Sequence, residues 1–135
     1  MRYMFDTNIC IYLMRRHPPE VAKRFALMGH GDIVISAISF AELRYGVECR
    51  PESGDMAERA LAALIQDIPV LPFETNAAVN YGVLRNAVRS RRCDALDRLI
   101  AAHAASLSLT LVTNNEADFL DYPGLVVENW IGSDC

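Results

Sequence analysis

The chain has 135 residues, 52% of them hydrophobic, and 17 acidic against 13 basic side chains for a net charge of −4. That is enough apolar content for one buried core, and the sequence predicts a single domain over 1–135. No stretch approaches the roughly 20 uninterrupted apolar residues of a membrane helix, the N-terminal MRYMFDTNIC has no signal-peptide cleavage site, and the scattered Cys10, Cys49, Cys93 and Cys135 make no C-x-x-C pair. These features exclude a membrane span, a disulfide framework and a cysteine zinc site, and predict a reduced, cytoplasmic protein.

In chain order, Arg2 to Phe5 is a short strand ending at Asp6, followed by Thr7-Asn8 and an apolar helix from Ile9 to Met14. Pro18-Pro19 breaks that helix, and a second runs from Glu20 to Met28. Ile33-Val34-Ile35 is the clearest strand. Ser39 starts a helix carrying Glu42, Leu43 and Val47, and RPESG (50–54) is a loop. Met56 to Ile68 is an Ala/Leu-rich helix, Pro69 to Pro72 a proline-bracketed strand, and Glu74 to Arg89 a further helix. A basic loop, Ser90 to Cys93, leads to a helix opened by Asp97, whose apolar face is Leu99, Ile100, Ala104 and Leu107. Thr110 to Thr113 is a β-branched strand of the kind covered on both faces. The chain leaves it through Asn114-Asn115 to Asp118 at another helix start, and Leu125 to Val127 is the last strand after Pro123-Gly124. Strands alternating with helices predict an α/β fold: a central parallel sheet of about five strands with helices on both faces.

Ligands of such sheets bind outside the carboxyl ends of the strands. Asp6 and Asp118 follow strands, Glu42 follows a strand by one short loop, and Asp97 opens the helix before another. Each has a local reading as well. Asp6 can be an N-cap, although Thr7 and Asn8 are alternatives beside it. Ser39-x-x-Glu42 and Thr113-x-x-Glu116 have the form of capping boxes, the second of which is accepted as one, and Asp94-x-x-Asp97 the form of a cap with an acid in the first turn. Gathered on one edge, the four carboxylates would repel one another without a cation. Hard oxygen donors suit Mg²⁺ or Mn²⁺, and the matching chemistry is phosphodiester hydrolysis by metal-activated water. Setting those four acids aside leaves 13 acidic against 13 basic residues, so the negative excess belongs to the site itself. Twelve of the bases are Arg, which grips phosphate bidentately. Arg91, Arg92 and Arg98 beside Asp97, with Arg15 and Arg16 on the opposite rim, are the candidate phosphate contacts, against the reading that they are solvated charges. His103 lies six residues after Asp97, about 240° round the helix, and reads as a packed histidine rather than a general base. Trp130 reads as a packing residue.

The segments MFDTNICIYLM, ISAISFAELRYGVE, DRLIAAHAASL, TLVTNNEADF and PGLVVENW cover nearly the whole chain. In that order they resemble a PIN domain, and within that family a VapC-type toxin ribonuclease of a toxin–antitoxin pair. The resemblance implies a Mg²⁺- or Mn²⁺-dependent endoribonuclease acting on structured RNA such as tRNA. It puts Asp6, Glu42, Asp97 and Asp118 on the family's acidic quartet; from their positions at a strand end and a helix start, Asp6 and Asp97 are the expected direct metal ligands, with Glu42 and Asp118 acting through water or a second ion. It also implies a cognate antitoxin whose tail covers the site, and a homodimer. Asn115 stands at a position often acidic in relatives and is a possible further ligand, while Asp94 and Leu96 replace a Gly and a small or polar residue. Haloacid-dehalogenase-like phosphatases need D-x-D, where this chain has Asn8, and they share with phospho-receiver domains a late Lys, where the sole Lys is Lys23. The remaining rival is a PIN-like RNA-binding or scaffold protein without catalysis.

Overall fold

Tyr3–Phe5 forms β1, a strand buried along its whole length. Its side chains alternate between two apolar clusters: Tyr3 and Phe5 join one, Met4 the other. Ile33 and Ile35 against Val34, and Val112 against Leu111, divide the same way, as period-two side chains must when both faces of a sheet are covered. The structure, a computed structural model, describes residues 1–29, 31–50, 52, 54–90 and 95–131.

The elements are β1, α1 (Thr7–Arg15), α2 (Pro19–Ala26), β2 (Ile33–Ser36), α3 (Ala37–Glu48), α4 (Gly54–Asp67), β3 (Val70–Leu71), α5 (Thr75–Ala87), α6 (Ala95–Ser106), β4 (Thr110–Val112) and β5 (Val126–Glu128), with a 3₁₀ turn at Glu116–Asp118. The sheet is five-stranded with the order β3-β2-β1-β4-β5, and every pairing is parallel. The α/β architecture expected from the alternating pattern is therefore present. Residues of α1, α3 and α4 line the cluster under Tyr3 and Phe5, while α5 and α6 cover the face of Met4. The chain steps from β1 to β2 and β3 on one side and returns to β4 on the other, so the order reverses between β1 and β4. That is the switch point at which an open parallel sheet forms its crevice.

Several helix ends differ from the sequence expectation by one or two residues, and three differences have a local reason. β2 runs on to Ser36, which is extended (φ −75°, ψ 148°) and whose side chain accepts the Ile38 N–H; α3 starts at Ala37 rather than Ser39. After β4 the expected helix is only the 3₁₀ turn, with no side-chain cap at Asn115. On α6 the buried run is Ile100 to Ala104, and Leu107 is 40% exposed. The alanines let α6 sit close to the sheet, which widens its buried face beyond the large apolar residues. Trp130 is the packing residue expected, edge-on to Tyr3 (5.3 Å between centroids) and Phe5 (5.2 Å). Among the described residues no helix is long and apolar enough to cross a membrane.

Candidate active site

Asp6 is the first residue beyond β1, at the switch point. Its backbone N–H donates to the Val112 carbonyl at 3.0 Å, tying it to the end of β4. Its side chain is the N-cap of α1, with Oδ1 accepting from Ile9 N–H at 2.9 Å. Thr7 and Asn8, the alternative caps, lie inside the helix instead. A cap of this kind stabilises by about 1 kcal/mol, yet the residue is 6% exposed, and burying a carboxylate opposes its ionisation. Burial, the largest effect, raises its pKa from 3.8 to about 6, against the pull of hydrogen bonds from the Thr113 hydroxyl and the Ile9 amide; the nearby Glu42 charge adds a smaller push upward. The cap reading of Asp6 is thus realised, and the same side chain is a buried carboxylate with Glu42 nearby.

Glu42 is the sixth residue of α3, well past its first turn, so the Ser39–Glu42 capping box does not form. Ser36 caps the helix, Ser39 is buried within it, and the Glu42 carboxylate instead accepts from Thr7 Oγ1 at 2.5 Å. Thr7 therefore links the residue after Asp6 to Glu42 across 35 positions of sequence. The Thr113–Glu116 capping box fails as well. Thr113 Oγ1 accepts from Asn115 N–H at 3.0 Å, a local turn, and the hydroxyl serves Asp6.

Asp97 lies in the first turn of α6 and is half-buried. Since α6 ends four residues before β4 begins and must bring the chain back to the starting edge of that strand, its first turn stands at the carboxyl edge. Asp118 ends the exposed 3₁₀ turn after β4, and its Oδ2 accepts from Asn115 Nδ2. The structure thus brings Asp6 and Glu42 together as one pair, and Asn115 with Asp118 as another. Among the described residues no three acidic, histidine or cysteine side chains converge closely enough to enclose a cation. The donor set is nonetheless all oxygen, and among the described residues neither Asp6 nor Glu42 takes part in an ion pair. The buried Asn114 Oδ1, one residue past Thr113, adds an oxygen without a hydrogen-bond partner at the same edge. This chemistry fits Mg²⁺ or Mn²⁺ rather than a soft metal.

Arg98 adjoins Asp97 and is half-buried; Arg15 ends α1, and Arg16 caps it in the left-handed region (φ 55°), both exposed. Arg91, Arg92 and Asp94 lie outside the described residues. A groove of about 350 Å³ between α1, α3 and α4 is lined by Ile11, Met14, Leu43, Val47 and Met56, with Glu42, Arg15 and Arg50 as its charged members. Thr7 and Thr113 are the functional residues that sequence reasoning missed. Their signal was position, each directly beside a strand-end residue of the site.

The PIN domain family model matches residues 3–125. Ribonuclease VapC2 of Rickettsia felis is 35% identical, the match covering 96% of this chain and 98% of that protein. The tRNA(fMet)-specific endonuclease VapC of Shigella flexneri is 37% identical over the same shares. Among solved structures, VapBC2 from Rickettsia felis bound to a fragment of its promoter DNA superposes with a TM-score of 0.88 at 34% identity, covering 96% of this chain and 99% of that one. VapBC-1 from nontypeable Haemophilus influenzae superposes with a TM-score of 0.86 at 32% identity, covering 98% and 100%.

Proposed function

This chain belongs to the PIN domain family, and from that membership we propose that it is the toxin of a toxin–antitoxin pair, a divalent-metal-dependent endoribonuclease. The observation that carries the reading is the Asp6–Glu42 pair at the switch point: two neighbouring carboxylates, one of them buried, outside every ion pair among the described residues. Asp6 and Asp97 would hold Mg²⁺ or Mn²⁺ directly, Glu42 and Asp118 through water or a second ion, with Asn115 available beside Asp118. A cation bound there supplies a water of lowered pKa and offsets charge on the phosphate under attack. The side chains do the rest. Thr113 and the Ile9 amide fix the orientation of the Asp6 carboxylate, and Thr7 fixes one oxygen of Glu42, so that Glu42 can orient a water and accept its proton. Arg98, with Arg91, Arg92, Arg15 and Arg16, would hold the RNA backbone.

The substrate is structured RNA, tRNA first among candidates, since the Shigella flexneri relative is named for tRNA(fMet). The partner is an antitoxin, in keeping with the VapBC complexes among the similar structures. Its tail would lie in the α1–α3–α4 groove with apolar side chains against Ile11, Met14 and Leu43 and a basic group toward Glu42. The working state is a cytoplasmic homodimer of one domain per chain. Incubation of the purified chain with tRNA tests the reading: Mg²⁺ should give discrete cuts, and EDTA or Asp6→Asn should abolish them. Binding of tRNA without cutting, at any Mg²⁺ or Mn²⁺ concentration, would leave the RNA-binding scaffold instead.

A further inference from the structure

Among the described residues His103 is the one buried histidine, 2% exposed. Burying an imidazole is costly unless its nitrogens find partners, and both kinds of partner are present. Nδ1 lies 2.8 Å from Ser36 Oγ, and the Pro72 carbonyl accepts from the ring. Phe73 stands edge-on at 5.5 Å. Ser36 Oγ also accepts from Ile38 N–H at 3.0 Å, the bond that caps α3. One side chain of α6 therefore joins the end of β2, the first turn of α3 and the exit from β3.

The rest of the buried surface of α6 explains why such a bond is needed. Ala101, Ala102 and Ala104 flank His103, and alanines permit close approach without the ridges that fix how far one helix slides along its neighbour. A directional hydrogen bond does fix it. Glu42 lies six residues beyond Ser36 on α3, and Asp97 six residues before His103 on α6. The Ser36–His103 bond thus ties the start of the helix that carries Glu42 to the helix that carries Asp97, each carboxylate lying about 9 Å of helical rise from it, toward the C-terminus of α3 in one case and the N-terminus of α6 in the other. We propose that His103 is a positioning residue which, by pinning Ser36, fixes α6 against the start of α3 and with it the placement of Asp97 relative to Glu42.

This inference rests on the metal-nuclease reading of the carboxylate edge, and the test separates the two. His103→Asn puts an amide atom where Nδ1 stands and keeps the Ser36 bond; His103→Gln reaches past that position and loses it. Both are compared with the wild-type chain by Mn²⁺ calorimetry, by kcat and KM on tRNA, by hydrogen exchange at the Ile38 amide, and by unfolding midpoint. The Gln variant should bind Mn²⁺ about 10-fold more weakly and lose kcat by about the same factor, the lower range for residues that support a metal's ligands. Its KM should hold and its Ile38 amide should lose protection, while the Asn variant stays near wild type. Should buried Gln fail to fold, Ser36→Ala carries the same expectation and Ser36→Thr the recovery. A Gln or Ser36→Ala variant with wild-type Mn²⁺ affinity and kcat overturns the positioning role. So do Gln and Asn variants weakened equally, in step with their midpoints. Either result leaves the nuclease reading standing; a wild-type chain that neither binds Mn²⁺ nor cuts RNA overturns that reading, and the positioning role with it.

Discussion

Two strand ends deliver acids to the same edge of this sheet and treat them differently. Asp6, after the central β1, is nearly sealed from solvent, and three of its groups are fixed: the backbone N–H, a side-chain oxygen that caps α1, and the carboxylate facing the Thr113 hydroxyl. Asp118, after β4, sits on an exposed 3₁₀ turn with the Asn115 amide beside it. A strand followed by an acid, directly in one case and through a polar turn in the other, thus yields one carboxylate whose pKa is pushed up to about 6 by burial and one exposed at the surface. The lesson is that position relative to the switch point, not residue type, decides which acid carries a desolvation cost that a cation can offset.

That contrast sets an order of effects. The largest should appear in catalysis. Asp6→Asn should reduce tRNA cleavage by about 100-fold or more, the scale of the several kcal/mol that metal ligation supplies. Asp118→Asn should cost about 10-fold, as for an outer ligand. Single-turnover rates at saturating Mg²⁺ measure both, and equal losses would erase the distinction between the two strand ends.

Stability should show the next largest difference. Between about pH 4 and pH 6 the metal-free folded chain keeps a proton on Asp6 that the unfolded chain has released. Stability therefore falls as pH rises through that interval and stays lowered above it. A pKa raised from 3.8 to about 6 corresponds to roughly 3 kcal/mol. Asp6→Asn, which keeps a capping oxygen, should raise the urea midpoint of the metal-free chain at pH 8 and lose that advantage at pH 4. His103 acts in the opposite sense, since burial lowers its pKa below 6.5: its contribution is present above pH 6.5 and lost as pH falls.

A smaller effect sharpens the role of Thr113. Its hydroxyl favours the ionised form of Asp6, so Thr113→Val should move the acidic limb of the kcat/KM profile to higher pH while leaving the alkaline limb in place. An unmoved limb would assign that ionisation to another group. The smallest change should be in RNA affinity. Measured in an Asp6→Asn background that does not cut, Arg98→Ala should flatten the slope of log affinity against log salt by about 0.7, one single-strand phosphate contact. The Arg91→Ala/Arg92→Ala pair should flatten it by roughly twice that.

The sheet was legible in the sequence because its strands are short, apolar and bracketed by breakers, and two-sided burial leaves a continuous apolar run such as Ile33 to Ile35. Asp6 was legible too, as a strand-end acid. That this candidate site acid is itself the cap of α1 was not, because Thr7 and Asn8 are equally good caps on local grounds. Glu42 shows the limit most clearly. The S-x-x-E spacing is a sound local signal, but the helix had already begun at Ser36, whose own hydroxyl made the cap. Its actual partner, Thr7, is distant in sequence, and nothing in either segment announces it. Thr113–Glu116 failed for the related reason that its hydroxyl had a tertiary claim from Asp6. In each case a long-range bond displaced a local one of the same chemical type.

The placement of β1 has a consequence for the order in which the molecule is made. Met1 to Asp6 leave the ribosome first, yet β1 is the middle strand and is flanked by β2 on one side and β4 on the other. The Asp6 backbone N–H has no partner until Val112 exists, and the apolar face of Tyr3 and Phe5 stays open until Trp130 closes against it. Pairings of such long sequence separation form late. The first acid translated is therefore among the last to be set in place, and a nascent chain carries all the earlier residues of its cutting edge without being able to assemble it.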